Sequence, residues 1–200
     1  MKHHRIEIEL FAKGLNSVCG LDEAGRGPIA GPVVAAAVSL PEAIDLKDLN
    51  DSKLLTAEKR EELFKMITGN ADWGIGVVTH DEIDKIGILE ATQKAFQMAV
   101  KDLDNRPEYL LVDGRDAFFF DIPYVSVVRG DLSVRCIAAA SIVAKVVRDR
   151  IMGEYGKKFP QYSFRKHKGY GTKAHFKELA EFGSCEIHRK TFHPVNEIDG

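Results

Sequence analysis

Three short apolar segments of this chain each run into an aspartate: 17–21 stops at Asp22, 109–112 at Asp113, and 124–128 at Arg129-Gly130-Asp131. Runs of this length, rich in Val, Leu, Ile or Tyr and bounded by Asp or Gly, read as strands. In open α/β sheets, sites form beyond strand ends, so the pattern sets three carboxylates where they can converge. Segments 31–40 and 73–79 read as two further strands, the first joined to 17–21 by an irregular loop punctuated by Gly25, Gly27, Pro28, Gly31 and Pro32.

Helical periodicity fills the intervals. A helix is predicted over 56–67, with Thr56 as N-cap and Glu58 to Glu62 on its wet face. A longer one is predicted over 81–103, where Ile83, Ile86, Leu89, Ala95, Phe96, Ala99 and Leu103 recur near the helical period and Arg106-Pro107 ends the run. A third spans 133–159 with a close-packing alanine face, and a fourth spans 173–181, stopped by Gly183. Strands followed by alternating helix and strand predict an α/β fold with a mixed sheet flanked by helices.

Two hundred residues with 44% hydrophobic content suffice for one core. The expectation is therefore a single domain over 1–200, with a core at 17–195 between a short lead-in and a short tail. The longest apolar runs fall short of the roughly 20 residues that cross a bilayer, and no signal-peptide core follows Met1, so no membrane association and a cytoplasmic location are expected. Cys19, Cys136 and Cys185 are odd in number, widely spaced and without a CxxC pair, which predicts reduced, mostly buried thiols. No heptad or internal repeat recommends an oligomer, so a monomer without an obligate protein partner is expected.

The segment Asp22-Glu23-Ala24-Gly25-Arg26-Gly27 joins two carboxylates to a glycine-bracketed arginine. Hard divalent cations take one or two protein carboxylates plus substrate phosphate oxygens, and Gly-Arg-Gly suits a phosphate, so the segment points to metal-dependent chemistry on nucleic acid or nucleotide. Taken singly, the same residues fit ordinary turns, and Asp131 fits a helix N-cap. Strand alternation also sends Asp22 and Glu23 to opposite faces, leaving open whether Glu23 reaches a metal by its side chain or its carbonyl. The net charge of −2 is not that of a generic nucleic-acid binder, but no acid interrupts the stretch from Glu154 to Glu178. Its Lys157, Lys158, Arg165, Lys166, Lys168, Lys173 and Lys177, interleaved with Phe159, Tyr162, Phe164, Tyr170 and Phe176, predict a basic, aromatic surface.

Gly20-Leu21-Asp22-Glu23-Ala24-Gly25-Arg26-Gly27, Ala30-Gly31-Pro32-Val33-Val34, Asp51-Ser52-Lys53, Val112-Asp113-Gly114, Gly130-Asp131, Ala139-Ala140-Ser141-Ile142-Val143-Ala144-Lys145 with Arg148-Asp149, His167-Lys168-Gly169-Tyr170-Gly171-Thr172 and Ile187-His188-Arg189 together resemble bacterial ribonuclease HII, in that family's order over about 19–195. The resemblance implies a ribonuclease H-like fold. It implies endonucleolytic cleavage of the RNA strand of RNA–DNA hybrids, and incision 5′ of ribonucleotides embedded in duplex DNA to give 3′-hydroxyl and 5′-phosphate ends. It puts the metal-binding, catalytic acids on Asp22, Glu23, Asp113 and Asp131, holding two Mg²⁺ or Mn²⁺ ions. Gly25, Arg26 and Gly27 match the segment that senses the ribose 2′-hydroxyl, the group that distinguishes RNA from DNA. Tyr170 matches the tyrosine that packs on the sugar at the RNA–DNA junction. Ser52 and Lys53, with Ser141, Lys145, Arg148 and the lysines near Tyr170, lie in segments expected to touch the backbone or support the site.

Histidine offers no rival catalyst: His167, His175, His188 and His193 lack metalloprotease spacing and read as structural or exposed. Lys145 and Asp149, at i and i+4, read as an ion pair. Two alternatives stand beside the main reading. Ribonuclease HIII carries an extra N-terminal substrate-binding domain, whereas little precedes Asp22. A non-catalytic RNA–DNA hybrid or nucleotide-binding module would need no carboxylate cluster, and the chain lacks a phosphate-loop GxxxxGK[ST] pattern.

Overall fold

In the computed structural model, residues 5–41 and 55–198 are described; Ser52 and Lys53 lie outside them. Five strands form one mixed sheet: β1 (Val18–Ala24), β2 (Val33–Ser39), β3 (Asp72–Val78), β4 (Tyr109–Asp113) and β5 (Tyr124–Val127), in the order β3-β2-β1-β4-β5. The β1–β2 and β2–β3 pairs are antiparallel, while β1–β4 and β4–β5 are parallel. The helices are α1 (Arg5–Ala12), α2 (Ala57–Asn70), α3 (His80–Ile86), α4 (Ile88–Lys101), α5 (Arg135–Lys158), α6 (Phe164–His167), α7 (Lys173–Phe182) and α8 (Val195–Ile198). Among the described residues no helix is long and apolar enough to cross a membrane.

Both faces of the sheet are covered, and the two-residue period of the strands divides the core. Val18, Ala36, Val38 and Leu111 pack with α2 and α5, while Cys19, Leu21, Ala35, Ala37, Leu110 and Val112 pack with α3 and α4. Small residues bring the helices close. A Cβ on Gly20 would run into the backbone of Cys136 and Ile137 in α5, and one on Gly76 would meet the Ala95 carbonyl carbon of α4 at 2.8 Å. These are the close approaches that exclude side chains from strand glycines. The helix α5 crosses directly over β1, the strand that carries Asp22 and Glu23.

Four local features depart from the sequence reading. The helix expected over 81–103 is two helices, divided at Gly87 with φ +83; its N–H bonds Ile83 O at 2.8 Å and its carbonyl accepts from Ala91 N at 3.0 Å, so one glycine ends α3 and begins α4. Both helices face the same core, so the apolar period runs across the break without showing it. Asp131 is not the N-cap of α5, which is Val134; it sits in a 3-10 turn (Gly130–Leu132) entered through Arg129 at φ 55. The lead-in folds as α1, and the carboxylate of its buried Glu7 accepts from the N–H groups of Arg135 (3.0 Å) and Cys136 (3.2 Å), the orphan donors that open α5. Lastly, Tyr162 and Phe164 are buried rather than presented to ligand; they enclose a histidine cluster in which the His167 and His175 rings stack at 4.1 Å and His175 Nε2 lies 3.0 Å from His188 Nε2. Of the aromatics in the basic stretch, Tyr170 and Phe176 are exposed. The expected Lys145–Asp149 ion pair forms at 2.6 Å.

Candidate active site

The parallel register Leu21↔Val112 carries Asp22 and Asp113 to the same level at the ends of adjacent strands. By strand alternation both lie on the α5 face, with Glu23 on the other, so the geometric conflict foreseen for the Asp-Glu pair is real. The pair is nonetheless tied locally: Glu23 N–H donates to Asp22 Oδ1 at 2.7 Å. The Ser141 hydroxyl of α5 also bonds Asp22. Asp113 Oδ1 accepts from Gly130 N at 2.7 Å and more distantly from Asp131 N at 3.4 Å, so the strand-end carboxylate holds the turn that bears the next aspartate. Asp22 and Asp131 are buried, while Glu23 and Asp113 are half-buried.

Burial, followed by the nearby Glu23 and Asp113 charges, pushes the Asp22 carboxyl well above the usual carboxylate range. Glu23 is pushed up to about 7, first by burial and further by Asp113, against the opposing pull of Arg26. Among the described residues, no group of three or more His, Cys, Asp or Glu side chains is close enough to form a finished ion cage. The donors do fit a hard divalent ion. They are carboxylate oxygens, crowded so that ionisation is resisted, and Mg²⁺-type sites are completed by water and substrate phosphate.

Immediately beyond β1, Gly25 takes φ +103, and Arg26 turns back so that its Nη1 lies 2.7 Å from Asp116 Oδ2 and 3.5 Å from Glu23 Oε1. Gly27 faces Tyr170, whose Cε1 stands 3.9 Å from where a Cβ would sit. The structure thus groups Asp22, Glu23, Asp113 and the Asp131 turn, with Gly25, Arg26 and Gly27 beside them and Tyr170 across the loop. The sequence reading passed over Asp116, which no motif marks. Arg148, expected to touch the backbone or support the site, and Arg189, noted only within a matched segment, are both buried, and their guanidiniums bond loop carbonyls. Arg148 had a readable signal: it continues the stripe Ile137, Ser141, Ala144, Arg148, Met152, all buried on one face of α5.

Solved structures share this fold. The ribonuclease H2 of Pyrococcus horikoshii OT3 superposes with TM-score 0.75 at 29% identity, covering 92% of this chain and 97% of that one. The ribonuclease HII in a PCNA complex from Archaeoglobus fulgidus gives 0.74 at 26% identity, covering 88% and 95%. Fold and site together define a metal-dependent endoribonuclease with a ribonuclease H-like fold. In sequence, the family model described as Ribonuclease HII matches residues 19–195, and Ribonuclease HII of Geobacter metallireducens is 52% identical over 185 residues, 92% of this chain and 87% of the relative. The chain belongs to the ribonuclease HII family, whose activity is on RNA paired with DNA.

Proposed function

We propose that this chain, acting as one catalytic domain, cuts the RNA strand of RNA–DNA hybrids and also incises duplex DNA on the 5′ side of a single embedded ribonucleotide, leaving 3′-hydroxyl and 5′-phosphate ends. Asp22, Glu23, Asp113 and Asp131 would hold two Mg²⁺ or Mn²⁺ ions. When bound, such ions supply activation of water for in-line attack and relief of charge on the leaving oxygen.

The chain's own groups do the rest. Ser141 and the Glu23 N–H orient Asp22, and the Gly130 N–H orients Asp113. Gly25, Arg26 and Gly27 read the ribose 2′-hydroxyl, and Tyr170 packs on the neighbouring sugar across the gap that Gly27 leaves open. Exposed Lys166, Lys173 and Lys177 draw in the duplex backbone by a salt-sensitive attraction. Ser52 and Lys53 belong to the same backbone contacts in this reading. The observation that carries the proposal is the meeting, within one loop's length, of strand-end carboxylates with a glycine-bracketed arginine and an exposed tyrosine.

The test is cleavage of an end-labelled DNA duplex with one ribonucleotide, beside all-DNA and all-RNA duplexes, in Mg²⁺, Mn²⁺ or EDTA. Cutting immediately 5′ of the ribonucleotide, dependent on metal and reduced by about 10²-fold or more in Asp113→Asn, is the expected result. Metal-dependent turnover that survives in Asp113→Asn would remove that residue from the site.

A further inference from the structure

Two arginines lie beneath the loop that follows β1, and neither has a carboxylate in salt-bridge contact among the described residues. Arg189, 0% exposed, donates from Nε to Gly31 O (3.0 Å), from Nη1 to Arg26 O (3.0 Å) and from Nη2 to Gly25 O (2.6 Å), while its backbone N–H bonds Ile29 O at 2.9 Å. Arg148, 1% exposed, donates from Nε to Pro32 O (3.0 Å), from Nη2 to Ala30 O (3.2 Å) and from Nη1 to Lys168 O (3.0 Å). Between them they take up the carbonyls of residues 25, 26, 29, 30, 31 and 32. Arg148 also ties that loop to the segment bearing Tyr170, whose ring centre is 5.8 Å from its guanidinium carbon.

Such burial is unfavourable in itself. Desolvation, and then the neighbouring Arg148 charge, push the Arg189 guanidinium down to about 9. Where stability alone is at stake, apolar residues of like volume serve as well as buried charges or better. What a planar guanidinium adds is a fixed fork of five donors that reaches several carbonyls at once, which neither lysine nor an apolar side chain reproduces. The loop needs such a template: it holds glycines at 25, 27 and 31, two of them with positive φ, so its unconstrained backbone has many conformations to lose.

We infer that Arg189 and Arg148 are positioning residues for ribose recognition: by capturing the inward carbonyls of residues 25–32 they hold Gly25, Arg26 and Gly27 in one conformation and fix that loop against the Tyr170 segment. The inference rests on the reading of Gly25-Arg26-Gly27 as the ribose-sensing element. The arginines touch no substrate themselves; they set the geometry of the groups that do, where a displacement of about 1 Å can cost about 10²-fold in rate.

Arg189→Lys keeps the charge and loses the fork, and it separates a positioning role from a merely structural one. Amide exchange in the free protein should rise about tenfold or more across residues 25–32, with the central strand β1 still protected. On the single-ribonucleotide duplex kcat should fall by about 10²-fold while KM moves by less than about threefold, and added guanidinium should recover activity in Arg189→Gly. Wild-type exchange across 25–32 in folded Arg189→Lys overturns the inference. So does raised exchange with kcat unchanged, and so does a loss confined to KM. If Arg189→Lys melts below the assay temperature, Arg148→Lys carries the same test, read at the amides of Ala30, Gly31 and Lys168. The underlying reading is checked apart from this: an Arg26→Ala, Gly27→Ala protein that still distinguishes ribonucleotide from deoxyribonucleotide refutes ribose sensing, while the exchange data continue to report on the arginines.

Discussion

Gly25 is more constrained than either carboxylate before it. Its φ of +103 is strained for any L side chain, and an added Cβ would stand 2.6 Å from Pro32 O and 2.7 Å from Arg148 Cδ. Gly25→Ala should therefore lower stability by about 1–3 kcal/mol, visible as a lower melting midpoint, and should depress cleavage further because the Arg148 contact shifts with it. Gly69 offers the contrast: nothing lies near its absent Cβ, so Gly69→Ala, inside α2, should raise stability by up to about 0.5–1 kcal/mol, visible as an unchanged or higher midpoint. At this scale the sequence was legible wherever chemistry and backbone demand fall on neighbouring residues, as in Asp22-Glu23 followed by Gly25. For Arg189 only the segment Ile187-His188-Arg189 could be noted; its role was illegible, because its partners Gly25 and Arg26 lie more than 160 residues earlier in the chain.

Among the elements, α5 joins the most parts of the molecule. Its first turn has no side-chain cap of its own, and Glu7 of α1 supplies two acceptors from 128 residues away. Glu7→Ala should cost about 1–2 kcal/mol, the usual range for removing a helix cap. A drop in melting midpoint with kcat nearly retained is the expected pattern, since the Glu7 partners Arg135 and Cys136 lie more than one helical turn before Ser141, which bonds Asp22. Strand positions and the Thr56 cap, whose Oγ1 accepts from Lys59 N at 3.2 Å, could be read because each leaves a local signature. The α3–α4 break could not, because a glycine at φ +83 interrupts the backbone without interrupting the apolar face. Tyr162 and Phe164 misled for a related reason: interleaving with lysines looks the same whether the rings face a ligand or a histidine cluster.

For the whole molecule, the crowded carboxylates oppose folding once they ionise. Asp22 and Glu23 have folded-state values above their ordinary ones, so between about pH 4.5 and 7 the folded chain binds protons that the unfolded chain has released. Metal-free stability contributed by these groups therefore falls as pH rises through that window, for Glu23 by on the order of 1–3 kcal/mol. His175, lowered to about 4 chiefly by burial, acts in the other direction, removing stability as pH falls from 6.5 toward 4. The two can be separated by difference: Glu23→Gln should gain on wild type in melting midpoint between pH 5 and 8 in EDTA. Mg²⁺ should raise the wild-type midpoint more at pH 8 than at pH 5, because ligands must be deprotonated to bind. An equal Mg²⁺ shift at both pH values would contradict that linkage.

One rod carries both the support for the carboxylates and the support for the loop. Ser141, which bonds Asp22, and Arg148, which bonds the loop carbonyls, are two helical turns apart on the same face of α5, about 10 Å along its axis. The helix is thus a gauge block: the interval between the strand-end carboxylate and the glycine-bracketed loop is a length machined into α5. A single residue inserted between 141 and 148 would swing one anchor about 100° off that face, and enzyme and substrate would no longer share a scale.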